Sequence, residues 1–168
     1  MVLLSDETEE EQREDALPLK VRDVMVREVI TVDEDSTVKE AVDVMNEFQI
    51  GSLIVLEKGK AKGIVTERDF LRRVLAGAKD VMNIKVKEIM TTPLVVVEPN
   101  MDLEEAVKLM FQSKIKKLAV VDANKLVGIV TLTDIARFQP QMIKMLKQLT
   151  TKQATPKSIQ KVIDYYIV

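Results

Sequence analysis

The chain has 168 residues, with 25 Lys plus Arg against 27 Asp plus Glu, and it contains no Cys, His or Trp. Those absences remove the usual ligands of structural zinc, iron–sulfur and haem sites, together with thiol and imidazole catalysis; no metal site is expected, although oxygen-ligated Mg²⁺ stays open. Hydrophobic residues at 46% with only 4% aromatic describe an aliphatic core under a polar shell, in a chain long enough for one domain or two small ones.

In chain order, residues 1–19 read as an acidic lead-in: positions 6–15 hold seven acids and one base, and Pro18 ends the segment. A short β-branched run, Val29–Val32, has the length of a buried strand. Val38, Ala41, Val42 and Met45 then recur at helical spacing, and Thr37 with Glu40 forms a capping box at that helix start. Strands Ser52–Leu56 and Ala61–Val65 follow, joined by a tight turn at Lys58 and Gly59. A second helix over Glu67–Leu75 closes the unit.

The same order then returns. Sliding the chain by 65 residues lays Val21–Phe70 over Val86–Ile135 without a gap and gives 16 identities in 50 positions, so the architecture is a tandem repeat. The second copy reads as a strand Leu94–Val97, a helix carrying Leu103, Ala106, Val107 and Met110, strands Lys117–Val121 and Leu126–Val130 around Ala123 and Asn124, and a helix from Leu132. Each unit is β-α-β-β-α. Beyond it, residues 138–149 and Pro156–Tyr166 carry apolar side chains at helical spacing, with Thr155-Pro156 as a helix start. The expected division is a lead-in over 1–19, repeats over 20–79 and 80–140, and a helical tail over 141–168. From Arg137 to the end, six bases meet one acid.

The longest apolar runs fall far short of the roughly 20 residues of a membrane span, so a cytoplasmic protein with no membrane partner is expected. A net charge of −2 argues against nucleic acid as a general partner and leaves only the basic tail for that role. The chain contains no GxxxxGK[ST] loop, no GxGxxG, no G-x-S-x-G elbow and no His to act as a general base, so no enzyme activity and no catalytic residues are expected.

The sharpest local feature is the doubled string Gly63-Ile64-Val65-Thr66-Glu67-Arg68-Asp69 and Gly128-Ile129-Val130-Thr131-Leu132-Thr133-Asp134, placed where a strand gives way to a helix. Two readings stand side by side. Thr with an acid three residues on is a capping box that needs no ligand. A carboxylate in that position also suits two vicinal ribose hydroxyls, with nearby backbone N–H groups suited to phosphate.

A tandem β-α-β-β-α repeat whose strand ends in G-h-h-T-x-x-D, with entry motifs Val21-Arg22-Asp23-Val24-Met25 and Val86-Lys87-Glu88-Ile89-Met90, resembles a pair of CBS (cystathionine β-synthase) domains, the Bateman module. The resemblance covers about two thirds of the chain and implies an α+β fold of two repeats related by a pseudo-two-fold axis, followed by C-terminal helices. It implies clefts between the repeats for adenosine-containing ligands: AMP, ADP, ATP or S-adenosylmethionine. By that resemblance Asp69 and Asp134 hold ribose, Thr66 and Thr131 contact ribose or phosphate, and Arg68, Thr133, Lys116 and Lys117 face phosphate. Val29, Ile30, Ile50, Leu94, Val95 and Ile115 would line the adenine pockets. The two pockets are expected to differ, repeat one setting Arg68 and Asp69 opposite Gly51-Ser52 and repeat two setting Thr133 and Asp134 opposite Lys116-Lys117. A similar insert occurs in inosine-monophosphate dehydrogenase, whose activity is not expected of these residues. No cofactor is required. The expected protein is a regulatory sensor that reorients its repeats for an unknown regulated partner. A ligand-free dimerisation scaffold and a nucleic-acid binder acting through the tail remain the alternatives. Apolar stripes on the second helices (Phe70, Leu71, Val74, Leu75; Ile135, Phe138, Met142) suggest a homodimer.

Overall fold

A computed structural model describes residues 18–139. The expected tail helices, Met142 among their residues, and nearly all of the acidic lead-in lie outside that range. The elements are α1 (Val21–Val24), β1 (Thr31–Asp33), α2 (Val38–Phe48), β2 (Ser52–Glu57), β3 (Lys60–Thr66), α3 (Glu67–Asp69), β4 (Val96–Val97), α4 (Leu103–Gln112), β5 (Lys117–Asp122), β6 (Lys125–Thr131) and α5 (Leu132–Phe138). They form two three-stranded sheets, β1-β2-β3 and β4-β5-β6. In each sheet the first pair is parallel and the second antiparallel, with Thr31 opposite Ile54 and Val96 opposite Ala119. The partner positions differ by 65 in both sheets, so the repeat read in the sequence is a repeat in register.

Local chemistry explains the elements. The Thr37–Glu40 box is formed, with the Thr37 N–H donating to the Glu40 carboxylate at 2.6 Å and the Glu40 N–H to Thr37 Oγ1 at 3.2 Å. It satisfies donors that the first turn of α2 leaves unpaired. Both hairpins turn on two consecutive residues in the left-handed region, Lys58 (φ 50) with Gly59 (φ 78) and Ala123 (φ 45) with Asn124 (φ 64). Two positive φ values in a two-residue loop match the right-handed twist of the flanking strands.

The second helix of repeat one differs from expectation. Only Glu67–Asp69 is α-helical; Phe70–Leu75 widens into i→i+5 turns, with the Ala76 N–H donating to the Leu71 carbonyl at 3.0 Å. The expected apolar stripe is split there: Val74 is in the core, while Leu71 and Leu75 are exposed. In repeat two, likewise, Ile135 is fully buried and Phe138 exposed.

Packing does not follow chain order. The core built on β1–β3 and α2 takes in Ile84, Val86, Ile89 and Met90, which precede the second repeat's sheet. The core built on β4–β6 and α4 takes in Val21 and Val24 from α1. Each repeat therefore lends its entry segment to the other. Backbone hydrogen bonds fix the exchange at equivalent places: the Val86 N–H donates to the Ser36 carbonyl and the Val21 N–H to that of Met101, both at 2.9 Å. Short bridges pair Ile64 with Thr91 and Val26 with Ile129.

Candidate functional site

The exchange decides which side chains meet. Where β3 ends, the Thr66 N–H and hydroxyl both donate to Oδ2 of Asp69 at 2.8 Å. Where β6 ends, the Thr131 hydroxyl and N–H donate to Oδ2 of Asp134 at 2.6 and 3.2 Å, and the Asp134 N–H returns to Thr131 Oγ1 at 3.1 Å. The capping expectation is thus met, and it occupies only one oxygen of each carboxylate. The second oxygen of Asp69 faces Arg73 Nε at 3.6 Å, a contact too long for a strong hydrogen bond.

Because the entry segments cross over, each Thr–Asp pair faces the other repeat. Thr66, Arg68 and Asp69 line a cleft of about 360 Å³ with Leu94, Val95, Ile115, Lys116 and Lys117, joined by Ile64, Thr91, Pro93 and Lys114. Thr131 and Asp134 line a second cleft, of about 220 Å³, with Val29, Ile30, Ile50, Gly51 and Ser52, joined by Val26, Glu28, Ile54, Ile129 and Lys117. Ten positions of the larger cleft recur in the smaller at an offset of 65. The two clefts are pseudo-symmetric copies, each built from both repeats.

Three expectations need correction. The pairing of opposite faces is reversed: Arg68 and Asp69 stand opposite Lys116 and Lys117, and Asp134 stands opposite Gly51 and Ser52. The crossed entry segments cause this, since they bring each helix start against the partner repeat. Thr133 is exposed on the first turn of α5 and lines neither cleft. Val29, Ile30, Leu94 and Val95 precede β1 and β4 instead of lying in them. The parallel ladder of β1 starts at Thr31, and the residues before it leave the sheet and reach the cleft wall.

Glu28, Pro93 and Lys114 were not singled out from the sequence. Glu28 and Pro93 directly precede expected adenine-pocket residues, and Lys114 precedes Ile115, so adjacency to those residues was the signal that could have found them.

At the centre, Lys117 Nζ donates to Ser52 Oγ at 2.8 Å. These two residues are equivalents, so the pseudo-two-fold axis runs between them, and Lys117 belongs to both clefts. Burial pushes the Lys117 ammonium below its ordinary pKa, and the carboxylates of Glu67 and Asp134 pull in the opposite direction. Gly51 is a close approach: a Cβ there would lie 3.0 Å from the Glu67 carboxylate. The arrangement sets carboxylate acceptors, apolar walls and basic side chains around the two clefts. No helix among the described residues is long and apolar enough to cross a membrane.

The CBS domain family model matches residues 21–76 and 86–140. The chain is 43% identical over 116 residues to the CBS domain-containing protein YhcV of Bacillus subtilis, covering 69% of this chain and 82% of that protein. It is 38% identical over 120 residues to the inosine-5′-monophosphate dehydrogenase of Methanocaldococcus jannaschii, covering 70% of this chain and 23% of the enzyme. Among solved structures, the CBS domain pair of protein MJ0100 in complex with 5′-methylthioadenosine and S-adenosyl-L-methionine superposes with a TM-score of 0.66 at 27% identity, over 73% of this chain and 96% of that one.

Proposed function

The chain belongs to the CBS-domain family as a tandem pair, and from that premise we propose that it is a cytoplasmic regulatory sensor binding adenosine-containing ligands in the two clefts between its repeats. The observation that carries this reading is the coincidence of motif and geometry. The Thr and Asp of both G-h-h-T-x-x-D strings, the apolar residues expected to hold adenine, and the lysines expected to hold phosphate fall into two equivalent clefts. Asp69 and Asp134 accept ribose hydroxyls through the carboxylate oxygen that capping leaves over. Leu94, Val95 and Ile115 cover adenine in one cleft, and Val29, Ile30 and Ile50 in the other. Arg68, Lys116 and Lys117 face phosphate. The solved CBS pair that holds 5′-methylthioadenosine and S-adenosyl-L-methionine supports adenosine as the shared part of the ligand.

A ligand seated on residues of both repeats biases their relative orientation, to the extent that it binds one orientation better than the other. A partner protein reads that orientation. No catalytic step is assigned. The protein acts as a homodimer: Phe48, Leu71 and Leu75 stay at least half exposed beside an apolar groove lined by Val42, Met45 and Phe70, and a second copy covers such a face isologously. Light scattering showing a monomer at micromolar concentration removes the dimer.

Calorimetric titration with AMP, ADP, ATP, S-adenosylmethionine and NAD tests the main reading. At least one adenine nucleotide or S-adenosylmethionine is expected to bind with a stoichiometry of one or two per chain. Binding by none of them leaves a scaffold whose Thr and Asp only cap helices. The basic tail that would serve nucleic-acid binding lies outside the described residues.

A further inference from the structure

The two clefts are equivalent in backbone and opposite in charge. Among the described residues, the larger is lined by Arg68, Lys114, Lys116 and Lys117 against one acid, Asp69. The smaller is lined by Glu28 and Asp134 against one base, Lys117. The difference is built from equivalent positions, and each one shifts it the same way: Lys114 replaces Gln49, Lys116 replaces Gly51, Arg68 replaces Thr133, and Pro93 replaces Glu28. Four changes with one sign separate two sites that otherwise share Ile, Thr and Asp at the same places.

We infer that the clefts sort their ligands by charge: the larger takes a phosphate-bearing nucleoside, and the smaller takes a nucleoside without phosphate, neutral or cationic at its 5′ end. This rests on the reading of both clefts as nucleoside sites and adds which chemical class each accepts. Phosphate is held by charge-assisted hydrogen bonds, which the larger cleft supplies from three side chains of its own. In the smaller cleft a phosphate meets two carboxylates in a space about 140 Å³ less.

Lys117 makes the sorting mutual. It is the one cation the clefts share, resting on Ser52 at the axis. A phosphate in the larger cleft draws this ammonium to itself, which leaves Glu28 and Asp134 to set the charge of the smaller. Occupation by one phosphate-bearing ligand therefore strengthens the exclusion of a second.

Calorimetry on the full chain with ADP and adenosine tests this. ADP is expected to saturate at one equivalent per chain, and adenosine to bind one further equivalent to the ADP-saturated protein. Replacing the larger cleft's cations by their counterparts (Arg68→Thr, Lys114→Gln and Lys116→Gly together) should weaken ADP about a hundredfold and leave the adenosine site unchanged. All three side chains are exposed, so the variant folds; circular dichroism confirms it. Asp134→Asn should remove the adenosine equivalent and spare ADP. Two equal ADP equivalents, or parallel loss of ADP and adenosine in the triple variant, overturns the sorting while keeping the clefts as nucleoside sites. A folded wild-type chain that binds neither ligand overturns both.

Discussion

At the scale of single residues, each motif aspartate caps its helix through one oxygen alone, so under the proposed function the second oxygen serves the ligand and the two roles do not compete. Asn in place of Asp keeps one acceptor oxygen for the Thr N–H and hydroxyl while removing the second acceptor. Asp69→Asn and Asp134→Asn should therefore melt close to wild type yet lose about 1.5 to 3 kcal/mol of nucleoside affinity at the altered cleft. The Ala variants should lose stability as well, by about 1 kcal/mol. Unchanged affinity in both Asn variants, measured calorimetrically, assigns the carboxylates to capping alone. Lys117 gives a second test. Its pKa is pushed down by burial, so the folded chain releases that proton at lower pH than the unfolded chain does. Between the two values the unfolded state binds more protons, and stability rises with pH there; below both values the ammonium is charged in both states and the desolvation cost is present in full. A phosphate beside it raises the pKa again. ADP binding should thus take up a fraction of a proton in the pH range between the lowered value of Lys117 and the ordinary lysine value, read as buffer-dependent heats; Lys117→Met should abolish the uptake. Thr66, Asp69, Thr131 and Asp134 were legible because their types and spacing repeat. Glu28 and Lys114 were not, because they enter the clefts from irregular segments whose direction no periodicity encodes.

At the scale of elements, the two glycines that open the G-h-h-T-x-x-D strings answer to the crossed entry segments. A Cβ on Gly63 would lie 2.8 Å from the Thr91 carbonyl oxygen and 2.9 Å from Met90 Sδ, whereas one on Gly128 would meet Met25 Sδ at 2.7 Å and the Val26 carbonyl oxygen at 3.1 Å. A methionine tip can swing aside; a carbonyl held in a bridge cannot. Gly63→Ala should accordingly cost about 1 to 3 kcal/mol, in the range of overpacked sites, and Gly128→Ala clearly less. Urea melts of the two variants compare them directly, and equal losses would show that backbone rigidity is not the deciding factor. The strands and first helices were readable from apolar spacing and caps, since those signals are local. The starts of β1 and β4 were not, because Val29–Ile30 and Leu94–Val95 have strand composition but no partner in the ladder. The wide turns of Phe70–Leu75 escaped for a related reason: Arg73 there donates to the carbonyls of Ile89 and Met90 at 2.5 and 2.8 Å, a tertiary contact invisible to helical periodicity.

At the scale of the whole molecule, the exchange of entry segments means that a sequence repeat is not a stable half. A fragment spanning residues 18–79 keeps Val21 and Val24, which belong to the other core, and lacks Ile84, Val86, Ile89 and Met90, all buried in its own. At about 1.5 to 3 kcal/mol for each buried aliphatic side chain, the four missing residues withdraw a sum comparable to the whole 5 to 15 kcal/mol of a typical fold. The fragment also loses the Val38 N–H bond to the Ile84 carbonyl and the Val86 N–H bond to Ser36, leaving polar groups at the start of α2 without partners. Expressed alone, residues 18–79 should show no cooperative melt as a monomer, and residues 80–168 should fail likewise for want of Val21 and Val24. Mixed, the two fragments should form a one-to-one complex with a cooperative transition, because every exchanged contact is then available. Circular dichroism melts with light scattering on each fragment and on the mixture decide it. A monomeric 18–79 fragment with a sharp melt would show that the exchanged segments decorate a self-sufficient core, and the two clefts, which are lined by both repeats, would then have to form by docking of two independent bodies.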